Sequence, residues 1–206
     1  MKYTDIVFDI DGTLVDNEQS VLLTWQECLE KHLGRHYELK ELDFVLGLPG
    51  MKTMELFKMA DPKAAFDEWE LMYQKYRRNI TTFKGIDALL AQLKKMGLRL
   101  GIVTSRLPSE LYNCFAMKPL LHLFDITICV TDAPRSKPDA DPLLAYMEKV
   151  NAKPEQILYI GDSKHDRECA KNAGVDFVLV KWGGGADEDG TEKKVLYSPS
   201  ALYAVL

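Results

Sequence analysis

Four acidic side chains stand where a nucleophile or a metal ligand would be useful: Asp9 and Asp11 in Asp9-Ile10-Asp11-Gly12-Thr13, and Asp162 and Asp166 in Gly161-Asp162-Ser163-x-x-Asp166. Between them in the chain come Thr104-Ser105-Arg106 and Ser136-Lys137-Pro138. Carboxylates gathered at one place repel one another unless a divalent cation and a lysine offset them, and all-oxygen ligation with room for water suits Mg²⁺. The same group implies a reaction. A carboxylate attacks phosphorus when the phosphoryl charge is neutralised and a second acid protonates the leaving oxygen. Asp9 and Asp11, two positions apart, can share one face, and Gly12 permits a turn whose N–H groups approach phosphate oxygens. Thr104 adds a hydroxyl, Ser105 a backbone donor and Lys137 a point charge.

These features carry unequal weight. With residues at roughly 5–7% usage, D-x-D-G-T arises by chance in about one chain of this length in several hundred. Asp166 alone reads as a helix cap, Thr104-Ser105-Arg106 alone as a capped helix start, and Lys137 alone as a solvated charge. Their order along the chain is what joins them.

The elements needed to position them are legible as apolar runs. Ile6–Phe8, Leu98–Thr104, Ile126–Val130, Ile157–Ile160 and Phe177–Val180 read as strands alternating with helices, the pattern of a parallel α/β sheet. Ligands of such sheets bind beyond the carboxyl ends of the strands, where these polar residues fall. Val21, Leu22, Trp25, Cys28, Leu29 and His32 recur at helical spacing, with Asp16 and Gln19 as a capping box and Gly34 as the stop. Leu39–Leu46, Met51–Met59 and Pro62–Arg78 continue as helices, so the stretch before Phe83 reads as a helical insert. Further helices follow from Ile86 to Met96, from Pro108, from an Asp141-Pro142 cap to Val150, up to Gly174, and near Ser200. In the insert, Lys52 beside the loop Gly47–Gly50 is the candidate for a group facing a substrate; the plainer reading is a Gly-Pro turn with a solvated lysine. Trp182–Gly185 could line a site rim, and Ala186–Gly190 reads as a solvated acidic loop.

Composition excludes other classes. The 206 residues hold 26 Lys and Arg against 31 Asp and Glu, a net charge of −5, without the basic face that a nucleic acid requires. Hydrophobic residues make up 47%, enough for a core. No apolar run approaches the roughly 20 residues that span a bilayer, and the N-terminus lacks a signal peptide's apolar stretch, so no membrane partner and a cytoplasmic location are expected. Cys28, Cys114, Cys129 and Cys169 form no C-x-x-C pair, and the histidines show no zinc-site spacing.

Asp9-Ile-Asp11-Gly-Thr-Leu, Val103-Thr104-Ser105-Arg106, Ser136-Lys137-Pro138-Asp139 and Gly161-Asp162-Ser163-x-x-Asp166 resemble, in order, the four motifs of the haloacid dehalogenase-like hydrolases. The helical stretch resembles the cap of the phosphoglycolate-phosphatase-like subgroup. The resemblance implies a five-stranded parallel Rossmann-like core sheet of order 5-4-1-2-3, formed by residues 1–15 and 84–206, with residues 16–83 as an inserted helical cap. It implies a phosphatase acting on a phosphorylated small metabolite, phosphoglycolate-like or a sugar phosphate. Asp9 would be the nucleophile, forming an aspartyl-phosphate, and Asp11 the acid and then base, its carbonyl also on Mg²⁺. Thr104 and Ser105 would bind the phosphate, Lys137 would steady Asp9, and Asp162 and Asp166 would complete the metal site with Asp9 and Asp11; Gly12, Thr13 and Arg106 are the further substrate-binding candidates within these motifs, and Lys52 the one in the cap. An acid at position 11 disfavours dehalogenation. Gly161, where sugar-phosphate mutases of the family tend to carry an acidic residue, favours hydrolysis over phosphosugar mutation. A signalling module phosphorylated on aspartate is the alternative outside enzymes. A monomer or a homodimer is expected.

Overall fold

The computed structural model describes residues 2–76, 80–183 and 194–206. Its strands are β1 (Asp5–Phe8), β2 (Val15–Asp16), β3 (Thr81–Thr82), β4 (Arg99–Val103), β5 (Ile126–Ile128), β6 (Ile157–Gly161), β7 (Asp176–Val180) and β8 (Val195–Leu196). Its α-helices are α1 (Glu18–Leu33), α2 (Gly50–Leu56), α3 (Pro62–Tyr76), α4 (Ile86–Lys95), α5 (Pro108–Tyr112), α6 (Asp141–Val150) and α7 (Lys164–Ala173). The chain divides into two compact units, Met1–Asp16 with Thr82–Leu206, and Asn17–Thr81.

In the first unit, a six-stranded sheet runs β5-β4-β1-β6-β7-β8 with every pairing parallel. The five strands expected from the sequence occupy the expected order. The sixth, β8, is a two-residue edge strand with no pattern to reveal it. Central strands of a parallel sheet are covered on both faces, which is why β1 (Asp-Ile-Val-Phe) and β6 (Ile-Leu-Tyr-Ile-Gly) are buried at every position. On one face Val7, Val103, Ile128 and Tyr159 pack with Leu143 and Tyr146 of α6 and Cys169 and Ala170 of α7. The register then decides where the polar residues go. Phe8 is level with Ile102 on one side and Ile160 on the other, so the residues just beyond, Asp9, Thr104 and Asp162, emerge together at the carboxyl edge. At the opposite edge the buried Asp5 carboxylate accepts from Tyr146 at 2.9 Å, Arg99 at 3.1 Å and Thr4 at 2.6 Å.

The second unit is helical, built from α1, a 3-10 turn over Leu39–Val45, α2 and α3. Leu22, Trp25, Cys28 and Leu29 of α1 and Ala65, Phe66 and Trp69 of α3 supply its buried stripes. Trp69 stacks on Tyr73 at 5.0 Å and lies 5.4 Å from Trp25, contacts worth about 0.5–1.5 kcal/mol each beyond the area they bury. Lys31 and His32 of α1 meet Glu68 of α3 at 2.6 and 3.0 Å.

Two expected caps are corrected. Asp16 belongs to β2, and α1 begins after Asn17 with no side-chain cap bond, so there is no Asp16–Gln19 box. Asp141 is the first residue of α6 rather than its cap, and its carboxylate pairs with Arg135 at 2.8 Å. The end of the helix expected over Pro62–Arg78, the glycines after Gly183 and the acidic run Ala186–Gly190 lie outside the described residues. Among the described residues no helix is long and apolar enough to cross a membrane.

Candidate active site

The turn after β1 is wound around one carbonyl: Ile10 accepts from the N–H groups of Thr13, Leu14 and Val15 at 2.8–3.2 Å. Gly12 sits there at φ +74°, and a Cβ on it would fall 2.1 Å from Asp162 Oδ2, so conformation and space both demand glycine. Its N–H donates to the Val15 carbonyl at 2.9 Å. That donor, which the sequence turns toward a phosphate, is spent closing the turn. Thr13, expected on the substrate, is fully buried and donates to Asp162 Oδ1 at 2.9 Å. Trp182 Nε1 donates to the Thr13 carbonyl at 2.8 Å, so the tryptophan after β7 braces this turn.

Lys137 lies at the centre. Its Nζ donates to Asp9 Oδ1 at 2.8 Å, Asp166 Oδ1 at 2.7 Å and the Tyr159 hydroxyl at 3.2 Å, with 2% of the side chain exposed. Tyr159 in turn donates to Asp166 Oδ1 at 2.8 Å. Asp166 Oδ2 accepts from the Ser163 N–H at 3.1 Å and hydroxyl at 2.5 Å, forming the capping box of α7. Both Asp166 oxygens are therefore occupied by protein donors. Tyr159 was not singled out in the sequence, yet a hydroxyl inside an otherwise apolar buried strand needs a polar partner, and that was the available signal.

Oxygens of Asp9, Asp162 and Asp166 lie within 4.8 Å of one another. Burial pushes the Asp9 carboxyl up to about 7, with Lys137 opposing the rise and Asp166 and Asp11 adding to it. Burial likewise drives Asp162 well above its ordinary value, reinforced by Asp166 and Asp9. Burial alone would lower Lys137, but Asp166 and Asp9 outweigh it and hold the ammonium charged. Burial would also raise Asp166; Lys137, Ser163 and Tyr159 hold it below the usual carboxylate range instead. One lysine does not offset all of these carboxylates, so Asp9 and Asp162 are driven toward protonation, and with a donor set that is all oxygen the residues fit a hard divalent cation. With Asp166 occupied, Asp9 and Asp162 are the side chains suited to hold it.

Thr104 is buried at the end of β4, and its Oγ1 accepts from the Arg106 N–H at 3.2 Å. Ser105, half-buried, stands between them. The Arg106 guanidinium lies on Asp11, with Nη2–Oδ1 at 2.6 Å and Nε–Oδ2 at 2.9 Å. Lys52 is exposed on α2 of the helical unit. The glycines before it make a turn: Gly47 has φ +79°, and a Cβ on Gly50 would meet the Phe66 ring at 2.2 Å.

The family model described as haloacid dehalogenase-like hydrolase matches residues 6–180. A provisionally named pyrophosphatase, PpaX, of Caldanaerobacter subterraneus subsp. tengcongensis is 31% identical over 190 residues, covering 88% of this chain and 83% of the relative. The pyrophosphatase PpaX of Bacillus mycoides is 26% identical over 187 residues, 88% of this chain and 85% of its own. A crystal structure from Lactobacillus plantarum, provisionally described as a phosphoglycolate phosphatase, superposes with a TM-score of 0.84 at 30% identity over 100% of both chains.

Proposed function

Because the chain belongs to the haloacid dehalogenase-like hydrolases, we propose that it is a Mg²⁺-dependent phosphatase of phosphorylated small metabolites that works through an aspartyl-phosphate. The observation that carries this reading is the buried Lys137 shared by Asp9 and Asp166, with Asp162 completing the acidic cluster. Asp9 attacks phosphorus: its Oδ–P bond forms as the bond to the leaving oxygen breaks, and Asp11 gives that oxygen a proton. Water then attacks the phosphorylated Asp9 with Asp11 taking its proton, which frees phosphate and restores both side chains. Lys137 holds Asp9 in place and opposes the charge on the phosphoryl oxygens, while the Thr104 hydroxyl and Ser105 backbone bind them. Mg²⁺, held by Asp9, Asp162 and the Asp11 carbonyl, would neutralise phosphoryl charge. Tyr159 and Ser163 keep Asp166 fixed beneath Lys137. Substrate choice is assigned to the helical segment 16–83, with Lys52 the first residue to vary.

A Cβ at position 161 would stand 2.5 Å from Asp166 Cβ, so the acidic residue typical of the mutases has no room here, which supports hydrolysis. The names of the relatives make pyrophosphate and phosphoglycolate the first compounds to try. Phosphate release from these and a set of sugar phosphates, with and without Mg²⁺, is compared between the wild type and Asp9→Asn. Release that needs both the metal and Asp9 is expected. Release that survives Asp9→Asn rules the reading out, and a phosphorylated protein that persists without turnover points to the signalling module.

A further inference from the structure

We propose that Arg106 is the positioning residue of the Asp11 carboxyl rather than a ligand of the substrate, an inference that rests on the phosphatase reading above. Its guanidinium is already committed. Nε lies 2.9 Å from Asp11 Oδ2 and 3.2 Å from Oδ1, and Nη2 lies 2.6 Å from Oδ1, so both carboxylate oxygens are gripped from one side. The Arg106 side chain is 9% exposed and that of Asp11 30%, so the clamp is the more covered of the two.

The clamp is itself held. The Arg106 N–H donates to Thr104 Oγ1 at 3.2 Å, its carbonyl accepts from Val130 at 3.0 Å, and Nη1 reaches the Glu110 carbonyl at 3.5 Å. Glu110 turns back to accept from the Leu107 N–H, which stiffens the start of α5. The loop that follows β4 thus reaches across to the turn after β1 and sets the direction of a side chain 95 residues away in sequence. A planar fork on a carboxylate removes torsional freedom that a point charge leaves, so lysine is no equivalent here. Proton transfer demands hydrogen-bond reach, and misplacement by about 1 Å costs about 10²-fold. Arg106 acts by keeping Asp11 where the leaving oxygen departs.

This role has a signature that mere structural support lacks. An alkoxide leaving group needs the Asp11 proton, whereas p-nitrophenolate departs without it. Turnover of p-nitrophenyl phosphate and of glycerol phosphate is measured for the wild type, Asp11→Asn, Arg106→Gln and Arg106→Lys, with melting curves for each. For Arg106→Gln we expect kcat/KM, which reports the steps through departure of the leaving group and not the later hydrolysis common to both substrates, to fall about 10- to 100-fold on glycerol phosphate and by less than about threefold on p-nitrophenyl phosphate. Arg106→Lys falls between, and Asp11→Asn shows the same imbalance more strongly. The ratio of the two rates does not depend on how much of a variant is folded. Equal losses of kcat/KM on both substrates, or a raised KM with kcat intact on glycerol phosphate, overturn the proposal. A wild type that hydrolyses neither compound, nor pyrophosphate, phosphoglycolate or the sugar phosphates, defeats the phosphatase reading instead.

Discussion

Replacing Lys137 by methionine exchanges a buried ammonium for an apolar chain of similar length, so the perturbation is electrical more than steric. The Nζ stands 2.8 Å from Asp9 and 2.7 Å from Asp166 with 2% of the side chain exposed. Removing one partner of a buried ion pair costs about 3–5 kcal/mol. Asp166 retains its donors from Tyr159 and Ser163 but loses the lysine that chiefly holds it ionised, so both carboxylates bear the loss. Asp9 recovers part of it by taking a proton, which places the cost at the low end, about 3 kcal/mol at pH 8 and less at pH 5.5. The sign follows from linkage. Burial has pushed Asp9 from 3.8 to about 7, and Lys137 opposes that rise, so without the lysine the folded carboxyl moves higher still. A carboxyl raised in the folded state stabilises the protein at low pH and loses that contribution as pH rises through its folded value. A loss of about 3 kcal/mol lowers the melting temperature of a chain this long by about 6–12 °C. Calorimetry of the metal-free wild type and Lys137→Met at both pH values reads the difference. A melting temperature unchanged at pH 8, or a larger loss at pH 5.5, refutes this reasoning.

Gly161→Ala brings a methyl within 2.5 Å of Asp166 Cβ. It is expected to cost about 1–3 kcal/mol and, by displacing Asp166 from Lys137, to depress phosphate release as well. Tyr146→Phe removes a hydroxyl that Asp5 accepts at 2.9 Å. Its denaturant midpoint should fall by the equivalent of about 1–2 kcal/mol while kcat stays at the wild-type level, because Asp5 lies at the sheet edge away from the site. In the metal-free wild type, stability should decline between about pH 4 and 7 as Asp9 is forced to ionise. Mg²⁺ at a hundred times its Kd should restore about 2.7 kcal/mol, with a larger rise in melting temperature at pH 8 than at pH 5.5, where protons compete for the carboxylates.

The sheet was readable because its central strands are covered on both faces and so appear as unbroken apolar runs; Ile6–Phe8 and Ile157–Ile160 announce themselves, while the order of the strands comes from the family resemblance. β8 did not, since two residues at an edge carry no period. The meeting of Asp9, Asp162, Lys137 and Asp166 was legible for a related reason: strand ends in register deliver whatever follows them to one edge. Partner choice was harder. Arg106 has the reach to serve a substrate or a carboxylate, and its place on Asp11 depends on the loop to Val130 and Glu110. The Gly12 N–H could have faced a phosphate, but the turn closes on Val15 first. Asp16 looked like a cap because local spacing says nothing of β2, which claims that residue.

The central claim is that Asp9 carries the phosphoryl group. Reduction with borohydride during turnover converts an aspartyl-phosphate to homoserine, and mass spectrometry of the peptide spanning β1 and its turn locates the change. The account predicts homoserine at position 9 in the presence of substrate and Mg²⁺, and an unmodified residue when either is withheld. Homoserine at another aspartate, or phosphate release with no reducible intermediate, would contradict it.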